Sequence, residues 1–85
     1  MTREILDKIH KHSIYNEEEV KNSKKCGCFY CGNIYIPVDV IDYTTEKNGK
    51  KTARCPICGI DSVIGDASGY EITEELLKEM NEVFF

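Results

Sequence analysis

The fold of this chain is decided by two matched segments, Cys28-Phe29-Tyr30-Cys31-Gly32 and Cys55-Pro56-Ile57-Cys58-Gly59. In each segment two residues separate the cysteines, so the chain can fold back and aim both sulfur atoms at one point. Two such pairs supply four thiolates, which is the ligand set of many structural zinc sites. The glycine after each second cysteine can adopt a positive φ and turn backbone N–H groups toward sulfur. These four cysteines are therefore the predicted ligands of one metal ion.

Length and composition predict a single domain over residues 1–85. A chain of 85 residues buries only about 60–65% of its unfolded surface, so a bound metal would contribute much of its stability. The formal charge of −4 argues against a general attraction to nucleic acid. No apolar run approaches the ~18 residues of a membrane span, and the first residues lack the apolar core of a signal peptide. We therefore expect a cytoplasmic protein whose cysteines stay reduced.

An N-terminal helical segment is predicted over residues 1–25. Apolar residues recur with helical spacing from Arg3 to about Lys11, with Thr2 as the predicted N-cap. A second short helix is predicted through about Lys24, with Asn16 as its N-cap, because three glutamates follow Asn16.

The metal-binding ribbon is predicted over residues 26–66. β-Branched and aromatic residues predict strands near 34–43, interrupted at Pro37, and again at 60–64. Between them, residues 44–51 predict a hairpin tip that turns at Asn48-Gly49. Residues 65–69 read as a loop, with Asp66 in an Asx turn.

A C-terminal amphipathic helix is predicted over residues 72–85. Thr73 is the predicted cap, two glutamates occupy the first turn, and Ile72 with Leu77 can form a hydrophobic staple. One apolar stripe follows, formed by Leu76, Leu77, Met80, Val83 and Phe84. We expect this stripe to form the main core against the ribbon and first helix, and part of it is a candidate surface for a partner or homodimer.

Each cysteine segment resembles the knuckles of zinc-ribbon and rubredoxin-like domains, and the resemblance covers residues 28–64. It implies a small α+β zinc ribbon, with antiparallel β hairpins and two knuckles, flanked here by the predicted helices. It also implies one structural Zn²⁺ per chain. The longer string from Cys55 to Asp66, together with the terminal helix, resembles a family of small bacterial cytoplasmic proteins. That second resemblance implies no activity.

Two alternative chemistries stay open for the same cysteines. Residues 31–35 and 55–59 are similar to the rubredoxin pattern, which implies iron and electron transfer, although Arg54 stands where rubredoxins usually have tryptophan. The other alternative is metal-free disulfide or thiol chemistry. A fifth cysteine, Cys26, lies two residues before Cys28 and could replace it as a ligand, trap an oxidised ligand, or remain a spare thiol.

The sequence favours a binding role over an enzymatic one. A closed site of four sulfur ligands leaves no coordination position for a substrate. His10 and His12 are two residues apart, which on a helix places them on different faces. We therefore predict a non-enzymatic module that binds a protein partner.

A regulator associated with nucleic acid is the other class of function. Its candidate contacts lie on the basic hairpin, at Lys47, Lys50, Lys51 and Arg54. The overall acidity of the chain disfavours this alternative.

Overall fold

The computed structural model describes all residues from Met1 to Phe85 and has an α+β architecture of three helices and two small antiparallel sheets. The helices are α1 (Arg3–His10), α2 (Glu17–Lys21) and α3 (Glu74–Phe84). The strands are β1 (Cys26–Cys28), β2 (Ile34–Tyr35), β3 (Tyr43–Thr45), β4 (Lys51–Ala53) and β5 (Val63–Gly65). Short 3₁₀ turns occupy Lys11–Ser13, Pro37–Asp39 and Asp66–Ser68. None of the helices is long and apolar enough to cross a membrane.

The larger sheet has the strand order β2-β1-β5, and β1 is its central strand. Cys26 lies opposite Tyr35 on one side of β1 and opposite Gly65 on the other. The smaller sheet contains only β3 and β4, with Tyr43 opposite Ala53. The predicted strand over 34–43 is thus divided in two, because Pro37 begins a 3₁₀ turn between β2 and β3.

The predicted N-terminal helices form, but the second is shorter than expected and Asn16 does not cap it. The Thr2 hydroxyl accepts a hydrogen bond from the backbone N–H of Ile5, as predicted. The α2 helix ends at Lys21, and the Ser23 hydroxyl then donates to the Glu19 carbonyl. Asn16 precedes α2, yet its side chain makes no capping hydrogen bond and is instead buried.

The Asn16 side chain joins three parts of the chain. Its amide group donates to the carbonyl oxygens of His12 and Val63, at 3.0 and 2.8 Å. Its carbonyl oxygen accepts from the Ala53 N–H at 2.9 Å. Ala53 belongs to the smaller sheet and Val63 to the larger one, so Asn16 connects the two sheets. These long-range partners outcompete the local cap because they are buried backbone groups that need hydrogen bonds.

The hairpin between β3 and β4 turns at the predicted position by a different geometry. Gly49 has φ 84°, and its N–H donates to the Glu46 carbonyl at 2.9 Å. Asn48 does not have a positive φ. Asn48 and Gly49 therefore do not form the type I′ two-residue turn, which requires a positive φ at both residues. The loop is instead a longer turn that ends with glycine in the left-handed region.

Asp66 also differs from its prediction. Its carboxylate accepts from the backbone N–H of Lys24 at 2.8 Å rather than closing a local Asx turn. The N–H of Ala67, the next residue, is bonded to the Ser23 hydroxyl at 3.0 Å. The 3₁₀ turn at 66–68 is therefore held against the segment that follows α2.

The C-terminal helix forms the main core, as predicted. The Thr73 hydroxyl accepts from the Leu76 N–H at 3.1 Å, and Ile72 and Leu77 are fully buried. A first core cluster contains Leu6, Ile9, Phe29, Ile64, Ile72, Leu76, Leu77 and Met80. A Cβ atom on Gly27 would lie 2.7 Å from the Leu77 side chain, so α3 packs directly on the backbone of β1.

A second core cluster surrounds the cysteines. It contains Val20, Cys26, Cys28, Tyr35, Val40, Ala53, Cys55 and Val63. Cys31 and Cys58 pack against its edge and are only partly buried. Phe29, between the cysteines of the first segment, belongs to the other cluster, so the two cores meet at the first knuckle.

Candidate metal centre

The structure brings together the sulfur atoms of Cys28, Cys31, Cys55 and Cys58, all within 4.8 Å of one another. The Cys28 and Cys58 sulfurs are 3.6 Å apart, and those of Cys31 and Cys55 are 3.7 Å apart. The cluster is compatible with a zinc-binding pair of knuckles. No other set of cysteine, histidine or carboxylate side chains forms a comparable group.

The two knuckles have the same backbone hydrogen bonds. In the first, the Gly32 N–H donates to the Cys28 carbonyl, and the Cys28 N–H donates to the Asn33 carbonyl. In the second, the Gly59 N–H donates to the Cys55 carbonyl, and the Cys55 N–H donates to the Ile60 carbonyl. Both glycines have φ 80°, a conformation that costs glycine little. The repeated sequence pattern therefore produces two copies of one turn.

The sulfur spacing fits a tetrahedral metal ion. Zinc–sulfur bonds of about 2.3 Å place the sulfurs of a regular tetrahedron roughly 3.8 Å apart. Two of the sulfur–sulfur distances, 3.6 and 3.7 Å, lie close to that value. A disulfide needs about 2.05 Å, and all five cysteines are free thiols in this structure.

Backbone N–H groups and polar side chains point at the sulfurs. The Tyr30 N–H lies 3.4 Å from the Cys28 sulfur, and the Ile57 N–H lies 3.4 Å from the Cys55 sulfur. The Ser62 hydroxyl is 3.0 Å from the Cys28 sulfur, and the Asn33 amide donates to Cys31 at 3.2 Å. Donors of this kind stabilise thiolate charge and orient metal ligands.

Sequence reasoning missed three polar side chains around the sulfurs. Asn33 directly follows the first knuckle, so its position gave a local signal. Ser62 is 34 residues from Cys28, and nothing in the local pattern identifies it. The sequence pattern places Tyr35 only in a strand. Its buried hydroxyl has no partner of good hydrogen-bond geometry. The hydroxyl nevertheless lies close enough to Cys55 to favour the thiolate form of that residue.

The cysteines ionise unequally. Burial raises the pKa of Cys28 to about 12, although Ser62 and nearby backbone N–H groups favour its thiolate. Burial acts in the same direction on Cys55, but the Tyr35 hydroxyl and the N–H groups of Cys58 and Ile57 outweigh it. Together they lower the pKa of Cys55 to about 7. A coordinated metal ion would deprotonate its thiol ligands outright.

Cys26 lies outside the group of four sulfurs. It is fully buried in β1 and belongs to the second core cluster. Burial, reinforced by the charge of Asp66, raises the pKa of Cys26 to about 12. The structure therefore places Cys26 in the core rather than at the ligand set.

The four basic hairpin residues differ in their contacts within the chain. Lys47, Lys50 and Lys51 are exposed at the hairpin. The Arg54 guanidinium instead donates to the Gly59 carbonyl at 3.0 Å and lies 3.8 Å from the Asp42 carboxylate. Arg54 thus contacts the second knuckle through the Gly59 carbonyl.

Acidic residues and an aromatic ring lie beside two of the three lysines, Lys50 and Lys51. The Lys50 amine lies 5.8 Å from the centre of the Tyr15 ring. A shallow cavity beside it is lined in part by Glu17 and Glu18. These carboxylates reduce the local positive potential.

The histidines do not meet at a common site. The His10 ring stacks on Phe84, with ring centres 4.2 Å apart. His12 Nδ1 lies 2.7 Å from a carboxylate oxygen of Glu19. Each therefore makes its own contacts, as the spacing predicted.

Comparison with known proteins found no matching family model, no matching curated protein and no matching solved structure.

Proposed function

We propose that this chain is a small zinc-ribbon protein, and that its four clustered cysteines hold one structural Zn²⁺. The observation that carries the proposal is the pair of equivalent knuckles with sulfurs at tetrahedral spacing. Zinc bound there would join residues from the two halves of the ribbon. Cysteine clusters of this kind belong to reducing compartments, so a cytoplasmic location is part of the proposal.

The proposed cellular role is that of a non-enzymatic module that binds another protein. Four sulfur ligands fill a tetrahedral site and leave no position for a substrate. Large apolar side chains remain exposed away from the core, among them Val38 and Ile41. Exposed apolar patches on small domains commonly mark protein-binding surfaces.

Elemental analysis of the untagged protein, from cells supplied with both iron and zinc, tests the metal assignment. We expect one zinc per chain, retained by the matched control Cys26→Ala and lost from Cys28→Ala. Each variant removes one buried thiol from β1. A difference in zinc content between the two variants therefore reports a ligand role for Cys28. One iron per chain, with colour that bleaches on reduction, would instead support an electron carrier and overturn the structural-zinc proposal.

A further inference from the structure

An apolar groove lies beside the 3₁₀ turn that separates β2 from β3. Its volume is about 500 Å³, and we name it the Val38 groove. It is lined by Lys21, Ser23, Ile36, Pro37, Val38, Val40 and Tyr43. Ile36 is 54% exposed and Val38 is 73% exposed, and the adjacent Ile41 is 85% exposed. Three large aliphatic side chains within six residues thus face water.

Tyr43, in the wall of this groove, also belongs to an edge strand. β3 pairs only with β4, so its other edge has no strand partner. Backbone hydrogen bonds join Arg54 to Asp42 and Glu46 to Lys50. In an antiparallel pair the N–H and C=O groups of alternate residues point to opposite sides. The backbone groups of Tyr43 and Thr45 therefore point toward the free edge.

The free edge of β3 favours an extended segment as the occupant of this surface. The three exposed aliphatic side chains offer on the order of 400 Å² of apolar surface. A strand added to a free edge gains part of its affinity from main-chain hydrogen bonds, and pockets beside the edge bind its alternate side chains. A second copy would bring the same segment, residues 36–45, whose charged side chains are both acidic, so the two copies would repel each other there.

The charges around the groove indicate the sign of its partner. Lys21 is already paired with Glu17, at 3.1 Å. Asp39 lies between Val38 and Val40, is exposed, and has no ion-pair partner in the chain. Asp42 is exposed and has only a distant contact with Arg54. These two carboxylates are sequence neighbours of lining residues, and they are the only charged side chains in the segment 36–43.

We infer that the Val38 groove and the free edge of β3 bind an extended segment of a partner protein. The segment carries apolar side chains on one face and at least one lysine or arginine. Its backbone pairs with β3, an apolar side chain enters the groove, and its basic residue lies at Asp39. This inference rests on the proposed role as a protein-binding module, and it names the surface and the partner's chemistry.

The test uses the zinc-loaded full chain and a displayed library of random peptides of about ten residues, long enough for one strand with flanks. We expect enriched peptides to alternate apolar and polar residues and to contain lysine or arginine. A synthetic enriched peptide should lose about tenfold or more in affinity for Val38→Glu. It should also shift the amide resonances of β3. For Asp39→Asn we expect a loss of a few-fold and a weaker dependence on salt.

Ile14→Glu is the matched control, because Ile14 is 45% exposed but lies before α2, outside both the groove and the cysteine cluster. Its affinity for the peptide should be unchanged. Failure to enrich peptides, or equal binding to Val38→Glu, overturns the inference. If ultracentrifugation shows a dimer that Val38→Glu dissociates, the surface binds a second copy of the chain, and the inference is also overturned. Peptides that bind elsewhere would leave the broader binding role standing.

Discussion

At the scale of single residues, the four clustered cysteines are contacted by side chains outside the two cysteine pairs. Ser62 is buried, and its hydroxyl lies 3.0 Å from the Cys28 sulfur. The Asn33 side-chain amide donates to the Cys31 sulfur at 3.2 Å. Partners of this kind fix the orientation of a ligand and withdraw charge from it. Ser62 comes from the end of the chain segment that leads into β5, so the first knuckle is positioned partly by the second half of the ribbon.

Ser62→Ala should weaken zinc binding by about 10–100-fold, because the Cys28 thiolate loses its side-chain donor. Competition with a chromophoric chelator measures the affinity. Substitution with Co²⁺ should also show a shifted sulfur-to-metal absorption band. Ser13→Ala is the control: its hydroxyl is buried and donates to the His10 carbonyl. An equal loss of affinity in both variants would assign the effect to general destabilisation.

Cys26 should be chemically inert in the folded, zinc-loaded protein. It is fully buried, and its pKa is raised to about 12 by burial, so almost no thiolate forms near pH 8. We expect iodoacetamide at pH 8 to leave Cys26 unmodified, as mapped by mass spectrometry. The same reagent with denaturant and chelator should label all five cysteines. Preferential labelling of native Cys26 would instead support the alternative in which Cys26 traps an oxidised ligand.

At the scale of elements, Asn16 connects more parts of the chain than a capping residue would. It bonds to backbone groups of both sheets and of the turn after α1. A two-stranded sheet is marginally stable by itself. The pair β3–β4 is therefore held in place by its connection to the rest of the chain, and the Ala53 N–H is part of that connection.

Asn16→Ala should destabilise the zinc-loaded protein by about 2–4 kcal/mol, because buried groups at Ala53 and Val63 lose their partners. Asn16→Asp should cost at least as much, since it keeps the acceptor for the Ala53 N–H but turns a carboxylate oxygen toward the His12 and Val63 carbonyl oxygens in a buried site. The control Asn22→Ala removes an exposed side chain and should change stability by at most about 0.5 kcal/mol. Urea unfolding at saturating zinc gives the three values. Similar midpoints for the Asn16→Ala and Asn22→Ala variants would show that the bridge contributes little.

Local signals predicted the elements whose contacts lie close in sequence. The knuckles form from five-residue segments, and the Thr73 cap and the first turn of α3 need only the residues beside them. Asn16 carried the same local signal as Thr73, but two of its three partners are 37 and 47 residues away. Ser62 is likewise a distant neighbour of Cys28. Spacing could therefore predict the cluster of four cysteines but not the polar groups around it.

At the scale of the whole molecule, two small cores depend on one cysteine cluster. The second core is built around Cys26, Cys28 and Cys55, so it has few apolar side chains of its own. The first core includes Phe29 and Ile64, which the ribbon supplies. A loss of order at the knuckles would remove Phe29 from beneath α3. Neither core is therefore independent of the cysteines.

Removal of zinc should unfold the chain cooperatively. Structural zinc contributes about 10–16 kcal/mol in peptide models, and whole domains are stable by only about 5–15 kcal/mol. We expect excess chelator under reducing conditions to abolish the helical circular dichroism of α1 and α3, with recovery on adding Zn²⁺ but not Mg²⁺. Because Phe29 couples the cores, both helices should be lost together. A chelated protein that keeps α3 packed on β1, seen as protected amides in hydrogen exchange, would show that the first core folds without the metal.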